Sequence, residues 1–398
     1  MNKYLSYIVI LVDFFLTCLI LPFLVFIELL QPNRNKKNNI FFIGLEHIIN
    51  KIAERAIEFE KKGFRMLFFS LELTGHRCSE DFYKPEVISY SKSILKDTLL
   101  FFKMLRKEKP SYVEVYLEGN LLRQLVAIFL LRASKTLIIT IERGSLSGFV
   151  YHTYKTSFLL KVILLSIFKL SHYIFYKEIY MLDWFKNNHI SELKLVLDHN
   201  QVPVKEEPVY IRKTKNVLFL NGFWKYRRIE LLIEAIPIVL KKVKDIQFTL
   251  VGARNPEERK RVEDLVLKAH AENVTKVYDW TDHTDVFYNT ASLFVLPADI
   301  VFCNYSLLEA MERGVPAIIS NVRDADKIIS DGVDGFLCSQ DPKDIADHII
   351  QVVLNEEVQI KMGIMARKKI IDNFDDKRRI NPILSLITNY ENKIHQAA

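Results

Sequence analysis

Residues 296–320, LPADIVFCNYSLLEAMERGVPAIIS, read as a strand end, an irregular loop, a helix, a Gly-Val-Pro stop and a second strand. The FVLP run at 294–297 is short and wholly apolar, the pattern of a strand covered on both faces of a parallel sheet. Within SLLEAMERG, Ser306 is placed to cap a helix, Gly314 to end it and Pro316 to block its continuation. A helix start fed by a loop at the carboxyl end of a strand is where open α/β sheets bind phosphorylated ligands. Unpaired N–H groups and the positive end of the helix dipole converge there. Glu309, one turn inside that helix, is the charge in the C-terminal half placed for recognition.

At 398 residues the chain exceeds one ordinary domain, and two domains plus an appendage are expected. With 49% hydrophobic and 26% charged residues it belongs with globular rather than disordered chains. A net charge of +7 suits an anionic membrane surface, a phosphorylated substrate or plain solubility, and lacks the dense basic patch that nucleic acid requires. Cys18, Cys78, Cys303 and Cys338 are widely spaced, with no Cys-x-x-Cys pair and no Cys/His cluster. A disulfide framework is therefore not expected, no metal ligands are assigned, and a reducing compartment fits.

Tyr4 to Ile27 is almost wholly apolar, broken by Asp13 and Pro22. As a helix it would be about 36 Å long, enough to cross a bilayer core. Asp13 near its middle would cost about 2.5 kcal/mol or more in lipid. With Pro22 it leaves a kinked or re-entrant anchor in one leaflet as the alternative. Arg34, Lys36 and Lys37 follow the run, which places the body of the protein on the cytoplasmic side. Further on, SKSILKDTLLFFKMLRKEK (91–109) joins an apolar face to six cations. It fits either an anionic membrane surface beside the anchor or an ordinary solvated helix.

After a polar linker, strand-like and helix-like runs alternate from NIFFIG (39–44) to HYIFYKEIY (172–180). The alternation stops at a Pro-containing linker (197–215), then restarts at NVLFLNG (216–222). Such alternation implies parallel, doubly wound sheets. The first turn, Gly44-Leu45-Glu46-His47, lacks the G-x-G-x-x-G pattern and disfavours a dinucleotide-binding dehydrogenase. Two such domains would face a cleft, a preferred place for ligands.

NVLFLNGFWKYRRIELLIEAI, FTLVGARNPEE, VYDWTDHTDVFYNTASLFVLP, SLLEAMERGVPAIIS and IISDGVDGFLCSQDPKDIADHI occur in the order found in family 4 of the glycosyltransferases. The chain resembles that family densely over roughly 215–375. Over 38–200 only a compatible strand–helix pattern and HNQV at 199–202 match. The resemblance implies an α/β fold of GT-B architecture: two Rossmann-like doubly wound domains facing a cleft, with an N-terminal hydrophobic helix. Residues 1–31 would be the membrane anchor, 38–200 the acceptor domain, and 201–375 the nucleotide-sugar-binding domain. A helix over 376–398 would pack back on the N-terminal domain.

By the same resemblance, Glu309 matches the second glutamate of the family's E-x7-E motif, which accepts hydrogen bonds from the nucleotide ribose. Arg227 aligns with a diphosphate-binding lysine. The partner arginine falls on Gly222, with Lys225 as its stand-in. Backbone N–H groups from Cys303 through Asn304 and Tyr305 to Ser306 would face phosphate or sugar oxygens, and Arg254 completes the donor-binding set. Three departures stand out. The first motif glutamate falls on Val301, which cannot hydrogen-bond a sugar. The glycines after it fall on Phe302 and Asn304. The acceptor-side histidine is replaced by Glu142, a candidate general base beside Arg143, with Glu118 and His152 as weaker candidates.

The expected protein is thus a membrane-anchored, retaining, metal-independent transferase. It would move sugar from a nucleoside diphosphate sugar to a glycan or lipid-linked acceptor, with no cofactor and no nucleic-acid partner. A non-catalytic scaffold that kept the fold is the alternative, and a GT-B sugar-nucleotide epimerase a further one.

Overall fold

A computed structural model describes residues 3–30, 37–45, 50–70, 83–91, 93–117, 120–142, 158–177, 179, 181–206, 215–301 and 303–396. The chain divides into two compact units, Met1–Asp198 with Ile380–Ala398, and His199–Arg379.

The first unit opens with α1 (Lys3–Leu29), β1 (Lys37–Ile43), α2 (Asn50–Lys61), β2 (Arg65–Ser70) and β3 (Val87–Ser89). It continues through α3 (Ile94–Glu108), β4 (Pro110–Tyr116), α4 (Leu121–Ala133) and β5 (Leu137–Glu142). The remaining elements are α5 (Phe158–Leu170), β6 (Tyr173–Tyr176), α6 (Met181–Asn187) and β7 (Leu195–Leu197). All seven strands are parallel, in the order β3-β2-β1-β4-β5-β6-β7. In β1, Ile40 to Ile43 are fully buried. Phe41 and Ile43 join one core layer, Ile40 and Phe42 the other. A strand covered on both faces has no use for polar alternation, which is why its sequence is continuously apolar. The 172–180 stretch, expected as one strand, pairs among the described residues over Tyr173–Tyr176. The chain then turns into α6, and the three-residue strands β3 and β7 widen the sheet at its edges. Runs that short carry no readable periodicity.

The second unit holds β8 (Asn216–Leu220), α7 (Ile229–Leu240), β9 (Gln247–Ala253), α8 (Pro256–Lys268), β10 (Thr275–Asp279) and α9 (Asp285–Thr290). Then come β11 (Leu293–Leu296), α10 (Tyr305–Glu312), β12 (Ala317–Ser320), β13 (Gly335–Cys338), α11 (Pro342–Val353) and α12 (Glu356–Asn373). Its parallel sheet runs β10-β9-β8-β11-β12-β13. The chain steps outward from β8 to β10, then crosses back to β11 on the other side. That reversal leaves a crevice at the carboxyl ends of β8 and β11, the switch point where open α/β sheets take ligands. The first unit reverses in the same way between β1 and β4.

The last helix, α13 (Lys377–Gln396), buries Ile383 and Ile387 in a core layer of the first unit. Its Tyr390 hydroxyl lies 3.0 Å from His172 Nε2, while His172 Nδ1 accepts from the Ile138 amide at 3.0 Å. At the other end of the chain, α1 packs on α3 and α4. By length and composition, its Val12–Leu29 portion could cross a membrane.

Buried polar groups of the first unit set two expected outcomes. Arg55 on α2 pairs with Glu114 on β4, a fully buried carboxylate that also accepts from the Tyr112 and Tyr116 hydroxyls. Glu114→Ala would strand the guanidinium and is expected to cost about 3–5 kcal/mol in urea unfolding, followed by Trp184 fluorescence in a Trp224→Phe, Trp280→Phe background. Burial and the nearby Arg132 and Lys194 cations hold the His172 imidazole down to about 3, against 6.5 for the free side chain. Between those values the unfolded chain binds the extra proton, so stability falls as pH drops from 7 toward 4. Wild type should lose melting temperature over that range more steeply than His172→Gln.

Candidate functional site

The sequence candidates of the second unit gather on the loops after β8, β9 and β11 and on the start of α10. After β8 the chain runs through Asn221 to Trp224 into a 3-10 turn, Lys225–Arg227. Arg228 then takes a left-handed backbone (φ 49°) to enter α7. The loops on the two sides of the switch point are tied together at three places. Arg227 Nη1 donates to the Ile300 carbonyl (2.8 Å). Arg228 Nη1 donates to Asp299 (3.0 Å). The Asp299 amide donates to the Tyr226 carbonyl (2.9 Å).

Arg227 is not a solvated cation. It is 7% exposed, its guanidinium stacks over the Tyr226 ring at 5.0 Å, and burial lowers its pKa from the usual arginine value. No carboxylate pairs with it among the described residues, and its Nε has no hydrogen-bond partner. A buried guanidinium remains charged. Left without a counter-charge it is costly to hold, and an anion at the crevice would relieve that cost. Lys225, two residues earlier, is exposed. Arg254 is held by Glu258 on the next helix turn and lies over the Trp224 ring at 5.0 Å. An exposed pair of that kind is worth about 0.2–1 kcal/mol and yields easily to a stronger anion.

Glu309 is half-buried on α10, and its Oε2 accepts a hydrogen bond from the Tyr288 hydroxyl (3.0 Å) on α9. Tyr288 is 1% exposed. Burial first, then the Glu309 charge, push its pKa well above 10, so it remains a neutral donor. The neighbouring Glu312 has a different job. It is 3% exposed, pairs with Arg367 at 2.7 Å and accepts from the Lys205 amide at 2.9 Å, fastening α10 to α12 and the entry segment.

The helix start differs from expectation. Asn304, not Ser306, caps α10: its extended backbone (φ −64°, ψ 130°) lets its side-chain oxygen accept from the Leu307 amide at 3.2 Å. Ser306 is already the second helical residue, and its hydroxyl engages Tyr288 instead. Cys303 precedes the cap in a left-handed conformation (φ 44°), fully buried, with its carbonyl accepting from Asn200 Nδ2 at 3.0 Å. Val301 is 2% exposed within the hydrophobic core, so an apolar side chain fills the position of the first motif glutamate. Phe302 lies outside the described residues, as do Glu46, His47, Glu118, Arg143 and His152.

Glu142 belongs to the other unit. It ends β5, is 2% exposed and sits in register with Tyr176 of β6.

Tyr288, Asp299 and Gly252 escaped the sequence reading. Gly252 is the one with a signal, being the glycine inside the FTLVGAR strand. It bulges out of the β9–β10 register with φ 144°. Gly222 is buried beside the Trp224 ring, 3.1 Å from where a Cβ would sit.

Residues 205–369 match the family described as glycosyl transferases group 1. N-acetyl-alpha-D-glucosaminyl L-malate synthase of Bacillus anthracis is 26% identical over 195 residues, 49% of this chain and 50% of the relative. UDP-Gal:alpha-D-GlcNAc-diphosphoundecaprenol alpha-1,3-galactosyltransferase of Escherichia coli is 23% identical over 194 residues, 47% of this chain and 49% of the relative. The chain spans about half the length of these curated relatives. The structure of a glycosyltransferase from Rickettsia africae covers 90% of this chain and 99% of its own, with a TM-score of 0.69 and 15% identity. The fold is that of the GT-B glycosyltransferases: two parallel α/β sheets with one apolar N-terminal helix.

A Cβ on Gly252 would lie 1.9 Å from the Asn221 carbonyl oxygen, at a φ that side chains rarely adopt. Gly252→Ala should therefore displace the loop that carries Lys225 and Arg227. Thermal or urea unfolding is expected to show a loss of about 1–3 kcal/mol.

Proposed function

We propose that this protein is a membrane-associated glycosyltransferase of family 4. It moves a sugar from a nucleoside diphosphate donor to a glycan or lipid-linked acceptor, with retention at the anomeric carbon. The observation that carries the proposal is the pairing of opposite needs at one switch point: a buried guanidinium with no carboxylate partner among the described residues on the loop after β8, and a carboxylate held by a buried tyrosine on α10, the helix after β11. Arg227, with Lys225 beside it, meets the diphosphate and stabilises it as it departs. Fixed cations in a site of low polarity stabilise such charge without reorganising. Glu309 accepts hydrogen bonds from the ribose hydroxyls, and bonds to a charged acceptor are worth about 1.5–3 kcal/mol. The Tyr288 bond fixes one carboxylate oxygen before ligand arrives.

Neutralisation by protein cations makes the proposed reaction metal-independent. Glu142 serves as the acceptor-side group in this scheme. The group 1 match supports the reading, as do the UDP-linked donor and diphosphoundecaprenol acceptor in the name of the E. coli relative. That acceptor and the apolar α1 also support membrane association, and the cations Arg34, Lys36 and Lys37 that follow the apolar run support a body on the cytoplasmic side.

Val301 motivates a second reading, a binding or scaffold subunit that keeps nucleotide affinity without transfer. The two are separated by a thermal-shift screen of nucleoside diphosphates and their sugars, followed by transfer assays on the best donor. A ligand at 100 times its dissociation constant stabilises by about 2.7 kcal/mol. Glu309→Ala is expected to abolish the shift, and Tyr288→Phe to weaken binding by about tenfold. Glu142→Gln should lower turnover while leaving the shift unchanged. A nucleotide shift without transfer to any acceptor supports the scaffold. If Glu309→Ala keeps the full shift, the ribose assignment is wrong.

A further inference from the structure

Helix α1 has its polarity reversed. Of its described polar side chains, Thr17 and Glu28 are buried at 1% and 2% exposure. Asp13 is turned to α3, where one carboxylate oxygen accepts from the Ile94 amide at 2.7 Å and the other from the Ser93 hydroxyl. Those bonds cap the N-terminus of α3, where carboxylates are favoured. Leu24 completes the packed stripe as part of the core. The opposite face, from Val12 to Leu30, exposes no charged, hydroxyl or amide side chain. Phe15, Leu19, Phe23, Phe26, Leu29 and Leu30 are each more than half exposed there. A helix laid on a protein in water shows the opposite distribution, and an apolar face this continuous marks an interaction surface.

We infer that α1 lies in the plane of a membrane rather than across it, docked on α3 and α4, with its outward face sunk into one leaflet of anionic lipid. This rests on the membrane-associated reading above and specifies the partner surface. A crossing helix would draw α3 and α4, packed along it, toward the hydrocarbon. That would carry in the exposed Lys96 and Lys103 of α3 and Arg132 of α4, charges that lipid excludes. In the in-plane arrangement the same lysines serve the interface. The two acids of α3, Asp97 and Glu108, are both buried, Asp97 against Arg123 and Glu108 against Arg65. Lys96 and Lys103 have no acidic partner among the described residues, so α3, packed beside α1, presents unneutralised exposed cations. Apolar insertion and attraction to anionic headgroups then act together, as in other in-plane helices.

The test uses the full chain purified in detergent and mixed with vesicles of phosphatidylcholine, alone or with phosphatidylglycerol, then separated by flotation. Binding to the phosphatidylglycerol vesicles is expected, about tenfold or more above that to phosphatidylcholine alone. Phe15→Glu with Phe23→Glu should abolish flotation without changing the melting temperature, and Lys96→Glu with Lys103→Glu should remove the anionic preference. For orientation, Asn2→Cys in a Cys18→Ser, Cys78→Ser background, which leaves only the buried Cys303 and Cys338, is treated with an impermeant maleimide in sealed inside-out membrane vesicles. Labelling from the cytoplasmic side without permeabilisation is expected. Labelling only after lysis means that α1 spans, and overturns the inference. Equal flotation with both vesicle types overturns the anionic assignment. Absence of flotation, with a dimer that Phe23→Glu dissociates, makes the face a contact between copies and overturns it too. The nucleoside diphosphate shift in detergent reports the donor site independently, so failure of lipid docking and failure of the transferase reading give different results.

Discussion

The reversal of strand order between β8 and β11 is the constraint on which the second unit depends. A parallel sheet sends every strand's carboxyl end to the same edge, and only where winding changes direction do two neighbouring loops diverge enough to admit a ligand. Here the diverging loops are bound to one another by Arg227, Arg228 and Asp299. The crevice therefore has a fixed floor rather than two independent walls. Its cationic character comes from a buried guanidinium that no carboxylate neutralises among the described residues. The group is held by the Ile300 carbonyl and by the Tyr226 ring beneath it.

Two glutamates on one helix show how geometry assigns roles that composition cannot. Glu312 is consumed by Arg367 and a backbone amide, and serves the packing of α10 on α12. Glu309, one turn earlier, is only half-buried, and one of its oxygens is engaged by Tyr288. The tyrosine is distant in sequence from the helix it serves. No spacing rule points to it.

The same logic applies to α1. Its apolar run and its length were legible, and so was the oddity of Asp13. The direction of each side chain was not legible, because an almost uniformly apolar helix has no moment to read. Once Asp13 is seen on the N-terminus of α3, it ceases to be a charge waiting in lipid and becomes a cap.

Both doubly wound sheets were readable in the alternation of apolar strands with longer helical runs, because strands buried on two faces must be apolar throughout and their crossovers must be helical. The group 1 segments and the placement of Glu309 beyond a strand end came from the order of residues alone. Three-residue edge strands, the Asn304 cap, the bulge at Gly252 and the burial of Arg227 came only from the tertiary structure. Each depends on which atoms are brought near by residues far apart in the chain. Local sequence determines what a segment can form and which face it must hide. What a charged side chain finally meets is decided by the folded neighbours, since a counter-charge, a carbonyl or nothing at all can stand at the same sequence distance.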